Sequence, residues 1–128
     1  EIKKLNLKNI SIEFIQWSLS FNKDLKDVEI VIIPYILDKK RLVKSINRIT
    51  ESMNLGKFVV ASEMPNNLHL KNYCYLGHIG EGLNWIKENE AKVLKKIYLG
   101  NNFAKKNFNI EKISNDWSLL IKKILTEF

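Results

Sequence analysis

The stretch LVKSINRITESMNLGKFVVASEMP, residues 42–65, decides the fold. Residues 44–55 read as a helix, with Ile46, Ile49 and Met53 on one apolar stripe. Gly56 stops it in the C′ position, where a left-handed backbone is needed. KFVVAS (57–62) follows at once as a strand with no polar alternation, the pattern of a strand covered on both faces. The start of that helix poses a question of charge. Lys44 and Arg48 sit four positions apart, where like charges repel, and both lie at the positive end of the helix dipole. A bound anion would turn both repulsions into attractions.

Upstream, VEIVIIPYI (28–36) carries the continuous β-branched run Ile30 to Ile33, which suits a parallel strand covered on both faces. ISIEFIQW (10–17) alternates apolar and polar at first and reads as a strand with one partly exposed face. LSFNKDLKD (19–27) reads as a short helix or loop. Downstream, NYCYLG (72–77) reads as a short strand, and an amphipathic pattern runs from about 81 to 106. A last helix over about 110–126 has Ile113, Trp117, Leu120, Ile121 and Ile124 as its stripe. Strand, crossover, strand, helix, strand, strand and closing helices make an α/β, Rossmann-like doubly wound pattern. The expectation is a small sheet of about four parallel strands with long carboxy-terminal helices, one domain over residues 1–128. No first strand of a complete two-halved sheet is visible, so the chain reads as a partial domain whose missing edge lies upstream.

Composition narrows the function classes. The 128 residues carry a net charge of +7, from 19 Lys and 2 Arg against 14 acidic residues. That balance points toward nucleic acid, an anionic surface or phosphate-rich ligands. The Lys are scattered and no nucleic-acid-reading motif is present, so nucleic acid is not the expected partner. No apolar run reaches the roughly 18–20 residues of a membrane span. The Lys-rich closing helices suit an anionic surface without forming a clean amphipathic anchor. The expected setting is reducing and cytoplasmic, at most peripheral to the inner membrane face. Cys74, the single cysteine, reads as a buried core thiol. It forms no zinc-like spacing with His69 and His78. Neither a metal nor a cofactor is expected.

In an open parallel sheet, ligands bind beyond the carboxyl ends of the strands. Pro34-Tyr35 and Ser62-Glu63 mark two such ends. The helix between those strands opens its amino end onto the same crevice, where free backbone N–H groups favour an anion. Lys44, Ser45 and Arg48 lie there, which makes a phosphate or diphosphate the candidate ligand. The plainer alternative leaves Lys44 solvated and pairs Arg48 with Glu51 or Asp38. Glu51 shares a helix side with Asn47, one to two turns behind the anion site, where a carboxylate can accept hydrogen bonds from a ribose; an exposed helix glutamate is the plainer alternative. Tyr35 is a candidate wall for a base or sugar. His78 either reaches the cleft or lies in a surface loop, and His69 reads as an exposed loop residue. Trp17 either lines the crevice or caps the core, with core packing the expected role, and Trp85 and Trp117 read as packing residues.

KSINRITESMNLGKFVVASEMP resembles the donor-binding segment of glycosyltransferases of the GT-B fold. The likeness is greatest to bacterial members with a K-S-x-N-R stretch, then a glutamate, a small-residue-Gly turn and VVAS. DVEIVIIPYI resembles that family's strand ending in Ile-Pro, and the region from YLGHIGEGLNW to NDWSLLI is similar to its closing helices. The resemblance covers roughly residues 28–121. It implies a carboxy-terminal domain that binds a nucleotide-sugar donor, with Glu51 on the ribose and Lys44, Ser45 and Arg48 near the diphosphate. It also implies Asn47 beside them and the turn from Glu63 to Asn67 near the base or sugar. Lys44 and Arg48 would stabilise charge on the leaving diphosphate. An acceptor-binding domain, with its glycan or other acceptor, would lie upstream of this chain, and the isolated chain would be inactive. Two departures stand out. Val43 occupies the position where many retaining members carry a glutamate, and Lys44-Ser45-Ile46 replaces a Gly-rich loop. The rival expectation is a non-catalytic α/β binding or interaction module.

Overall fold

The structure, a computed structural model, describes residues 11–16, 18, 23, 25–35 and 45–127. Strand β1 (Ile30–Ile33) leads, through a connection that includes helix α1 (Asn47–Asn54), to β2 (Phe58–Ala61). A 3-10 turn (Leu68–Leu70) precedes β3 (Tyr75–Leu76), and helices α2 (Ile79–Glu88), α3 (Glu90–Asn107) and α4 (Ile110–Glu127) close the chain. The sheet runs in the order β1-β2-β3 and is parallel throughout. Ile30 sits beside Phe58 and Ile33 beside Ala61, while Val60 sits beside Tyr75.

The sheet has two working faces because successive strand residues point to opposite sides. Val31, Ile33, Val59, Ala61 and Leu76 pack with Ile49 and Met53 of α1, with Leu70 and Cys74, and with Ala104 of α3. Ile30, Phe58, Val60 and Tyr75 pack on the other side with Trp85 and Ile86 of α2 and Val93 and Ile97 of α3. The Trp85 ring stacks on Phe58 at 6.2 Å and meets Tyr75 at 5.8 Å. An α/β core with helices on both faces is thus present, built on three described strands rather than about four.

Several boundaries differ from the sequence reading. Residues 11–16 form no strand: Phe14 is 89% exposed and Ile12 51% exposed. Without a ladder partner, a short alternation is not enough to hold a strand. Trp17 lies outside the described residues. β1 is an edge strand among the described residues, and its run is only partly covered, with Ile33 buried and Ile32 45% exposed. α1 starts at Asn47 rather than Lys44, because Ile46 is the non-helical flanking residue. The Ile46 carbonyl accepts the first N–H bonds, from Ile49 at 2.9 Å and Thr50 at 3.1 Å. The pattern over 81–106 is two helices. Asn89 leaves helical geometry at φ −134°, and its Nδ2 donates to the Trp85 carbonyl at 3.0 Å. Trp85 is the packing residue expected, but Trp117 is 61% exposed on α4. Residues 72–74 belong to the turn before β3, where Tyr73 and Cys74 both donate to the Leu70 carbonyl.

Gly82 sets how closely α2 lies on the sheet. A Cβ there would stand 2.6 Å from Val60 Cγ1 and 2.7 Å from Tyr75 Cδ1. Gly80, two residues earlier, has only the His78 ring within reach, at 3.5 Å. Gly82→Ala should therefore destabilise the fold by ~1–3 kcal/mol of overpacking. The better helix propensity of Ala offsets part of this, by about 1 kcal/mol. Gly80→Ala gains the propensity without the clash and should be neutral or stabilising. Urea unfolding of both variants checks the contrast.

Cys74 is 1% exposed, and its Sγ–H donates to the Leu70 carbonyl at 3.3 Å. Burial pushes its pKa up from 9.0 to about 12, with Lys96 pulling weakly the other way. Lys96 Nζ donates to the Cys74 carbonyl at 3.1 Å and also to that of Lys71. Burial lowers the Lys96 pKa, opposed by the Cys74 thiolate. Below the unfolded thiol pKa of 9.0 the thiol is neutral in both states and costs nothing. Between 9.0 and about 12 only the unfolded chain gives up the proton, so stability falls as pH rises. Unfolding measured from pH 8 to 11 should show a steeper alkaline loss for the wild type than for Cys74→Ala, which retains Lys96. Iodoacetamide at pH 8 should alkylate Cys74 only after unfolding.

Candidate functional site

The carboxyl ends of the three strands meet at one edge of the sheet. There the Tyr35 N–H donates to Ser62 Oγ at 3.0 Å, and the Ser62 N–H donates to the Ile33 carbonyl at 3.2 Å. The loop after β2 is fixed from inside by Asn67, which is 1% exposed. Its Oδ1 accepts from the Met64 N–H at 2.9 Å, and its Nδ2 donates to the Ser62 carbonyl at 3.0 Å. These bonds hold Ser62 in place and leave Glu63 exposed beside it. The Ser62 oxygen is engaged as an acceptor, while its hydroxyl proton is left to donate. The half-buried Tyr35 packs against the face of the core that α1 covers.

The third strand ends in a glycine turn. Gly77 adopts φ +152° and its N–H donates to the Ala61 carbonyl at 3.0 Å, tying the turn to the end of β2. A residue with a side chain rarely adopts that angle. His78 follows as the exposed residue that opens α2. It stands beside the strand ends, on the surface.

α1 supplies the rest. Its carboxyl end turns at Leu55-Gly56 directly into β2, with Gly56 at φ +71°. Its amino end therefore points back toward the carboxyl edge of the sheet. Among the described residues no side chain caps that end, and its first turn holds no acidic residue. Arg48 is the second residue of the helix. Asn47, Arg48 and Glu51 are exposed together, opposite the buried Ile49, Thr50, Ser52 and Met53. Ser45 is exposed just before the helix, and Lys44 lies outside the described residues, as does Asp38. No ion pair joins Arg48 to Glu51 among the described residues. Among the described residues the arrangement presents a helix end without a side-chain cap, one guanidinium and no first-turn carboxylate, a combination that suits an anion.

The structure thus joins Tyr35 to Ser62 directly and places Asn47, Arg48 and Glu51 on one exposed helix surface. No hydrogen bond links the two groups. Gly77 and Gly82 are positions that sequence reasoning missed, and Asn67, expected in the turn near the base or sugar, is instead buried and bonded inside its own loop. The G-x-x-G-x-G spacing of residues 77–82, directly after a short strand, was the available signal. Asn67 carries no such signal, because its role is visible only once the loop is closed.

A groove of about 400 Å³ opens elsewhere, at the amino ends of β1 and β2, where Lys26, Glu29, Lys57 and Glu90 edge a floor of Phe58 and Val93. Its rim mixes both signs of charge, so it offers an anion little. Among the described residues no cluster of His, Cys, Asp and Glu is placed to hold a metal ion, and no helix is long and apolar enough to cross a membrane. No protein family matches the chain, and no match to it is found among curated proteins or solved structures.

Proposed function

We propose that this chain is the donor-binding, carboxy-terminal domain of a GT-B-like glycosyltransferase. Its parent would transfer a sugar from a nucleotide diphosphate donor to a glycan or other acceptor. The observation that carries the reading is the amino end of α1, which has no side-chain cap among the described residues and no first-turn acid, with Arg48 exposed on it. A helix end of that kind loses about 1 kcal/mol relative to a capped one, and a diphosphate would supply what the cap does not. Arg48 meets the charge as it develops on the leaving group. Lys44 joins it through the resemblance of the K-S-x-N-R stretch. Glu51, one turn further along the exposed side, accepts hydrogen bonds from the ribose. The Ser62 hydroxyl, Glu63 and the Tyr35 ring lie at the strand ends on the base or sugar side.

Titration of the chain with UDP, GDP, ADP and CMP tests the reading. Saturable binding of one of them is expected. Arg48→Ala and Glu51→Ala should each weaken it by roughly ten- to a hundredfold, since a hydrogen bond to a charged group contributes ~1.5–3 kcal/mol. Binding of no nucleotide, or binding indifferent to both substitutions, would turn the assignment toward a non-catalytic α/β interaction module.

A further inference from the structure

α4 is the one described helix with no buried residue. Nevertheless it has a clear apolar stripe: Ile113, Trp117, Leu120, Ile121 and Ile124 recur at helical spacing, and each is 41–61% exposed. Eighteen residues make a helix about 27 Å long. An isolated helix of that length is marginal in water, and helices in proteins are held by packing their apolar face. α4 packs lightly against α3, with Phe108 at the joint meeting Phe103 edge-on at 5.9 Å. Its stripe is turned to solvent.

The charges beside the stripe say what covers it. At helical spacing Lys112, Asp116, Lys123 and Glu127 fall along one flank, in the order plus, minus, plus, minus. Within the helix they pair as Lys112–Asp116 at 3.2 Å and Lys123–Glu127 at 3.9 Å. The opposite flank carries Ser114, Ser118 and Leu125, with Glu111 and Lys122 lying further round toward the back of the helix. In an antiparallel pair of helices related by a two-fold axis, each flank faces the same flank of its partner, read in reverse. With the axis beside the midpoint of Leu119 and Leu120, Lys112 lies across from Glu127 of the second copy and Asp116 across from its Lys123. All four positions are complementary, and the stripes of the two copies interlock between them. A parallel pair sets this flank against the opposite one, where Ser114 and Ser118 offer it no charge to pair with.

We infer that α4 is a self-association surface, pairing antiparallel with α4 of a second copy of this chain. The inference stands apart from the function proposed above. A lipid surface fits less well. Helices that lie on membranes border their apolar face with Lys and Arg, whereas Asp116 and Glu127 border this one. The helix also carries three acids against three lysines, so it has no net attraction to anionic lipid.

Charge exchange tests this directly. Light scattering over a dilution series should show the mass rising from the monomer's 15.0 kDa toward twice that value. Asp116→Lys with Glu127→Lys makes the flank wholly positive, and Lys112→Glu with Lys123→Glu makes it wholly negative. Each double variant should lose at least about tenfold in dimerisation constant, each like-charged contact costing some tenths of a kcal/mol and four being made. An equimolar mixture of the two should recover a heterodimer at wild-type strength, which neither a misfolded variant nor a merely sticky apolar face would do. A wild type that stays monomeric at millimolar concentration overturns the inference. So does association that ignores both reversals, a mixture that forms no heterodimer, or monomeric binding to phosphatidylglycerol vesicles in place of dimerisation.

Discussion

The complete burial of β2 is the constraint on which the rest of the structure depends. Phe58, Val59, Val60 and Ala61 are each no more than 1% exposed. A strand can be buried like that only if both its edges are paired and both its faces are covered. β1 and β3 satisfy the edges, α1 covers one face and α2 the other, and α3 contributes to both clusters. Burial of a large apolar side chain contributes about 1.5–3 kcal/mol, so these four residues concentrate stabilisation that a small sheet could not spread widely. The tight approach at Gly82 follows, because α2 must come close enough to seal Val60 against Tyr75. The exposure of Ile32 follows too, since cover is fullest at the centre and thins at the edge.

The carboxyl edge divides into a rigid part and an open part. The Tyr35–Ser62 bond and the two bonds of Asn67 fix the strand ends without using any exposed group. The exposed groups, Glu63, Arg48 and Glu51, sit beside that scaffold with no ion-pair partner among the described residues. Polar groups held by buried supports bind with less ordering cost than groups on loose loops. That division is the physical reason for looking for a ligand here rather than at the mixed-charge groove on the other edge.

The sequence was most legible where burial and punctuation agreed. The run Ile30 to Ile33, the run FVVA and the Gly56 stop all fall where the spacing placed them, because β-branched runs and a left-handed glycine leave few alternatives. The burial of Cys74 was legible for the same reason. Residues 11–16 misled, because alternation reports a residue's suitability for a strand and says nothing of whether a ladder partner is present. The pattern over 81–106 misled because hydrophobic period carries through Asn89, while the break comes from the backbone of that one residue. Trp117 misled because a stripe on a helix predicts a buried face without saying which molecule buries it. The start of α1 shifted by three residues, which leaves Lys44 beyond the helix as described while Arg48 stays in its first turn. Ser62 and Tyr35 were named for a ligand and are first of all bonded to each other.

A helix can keep one end bare only when something else fixes its position. α1 is short, eight residues, and lacks an N-terminal cap whose presence would contribute about 1 kcal/mol. Its anchorage lies elsewhere. Ile49 and Met53 are 1–2% exposed beneath it. At the far end Asn101 of α3 donates through Nδ2 to the carbonyls of Met53 at 3.0 Å and Asn54 at 2.8 Å. Each such bond contributes about 1 kcal/mol, enough together to offset the missing cap. Gly100 brings α3 close enough for this: a Cβ there would come within 3.4 Å of Met53 Cγ and 3.3 Å of the Tyr73 carbonyl. α3 thus secures the helix by its carboxyl end and leaves the amino end, with Arg48, open at the edge of the sheet. The anchorage of α1 is therefore concentrated at its carboxyl end, while among the described residues no side chain caps the other end.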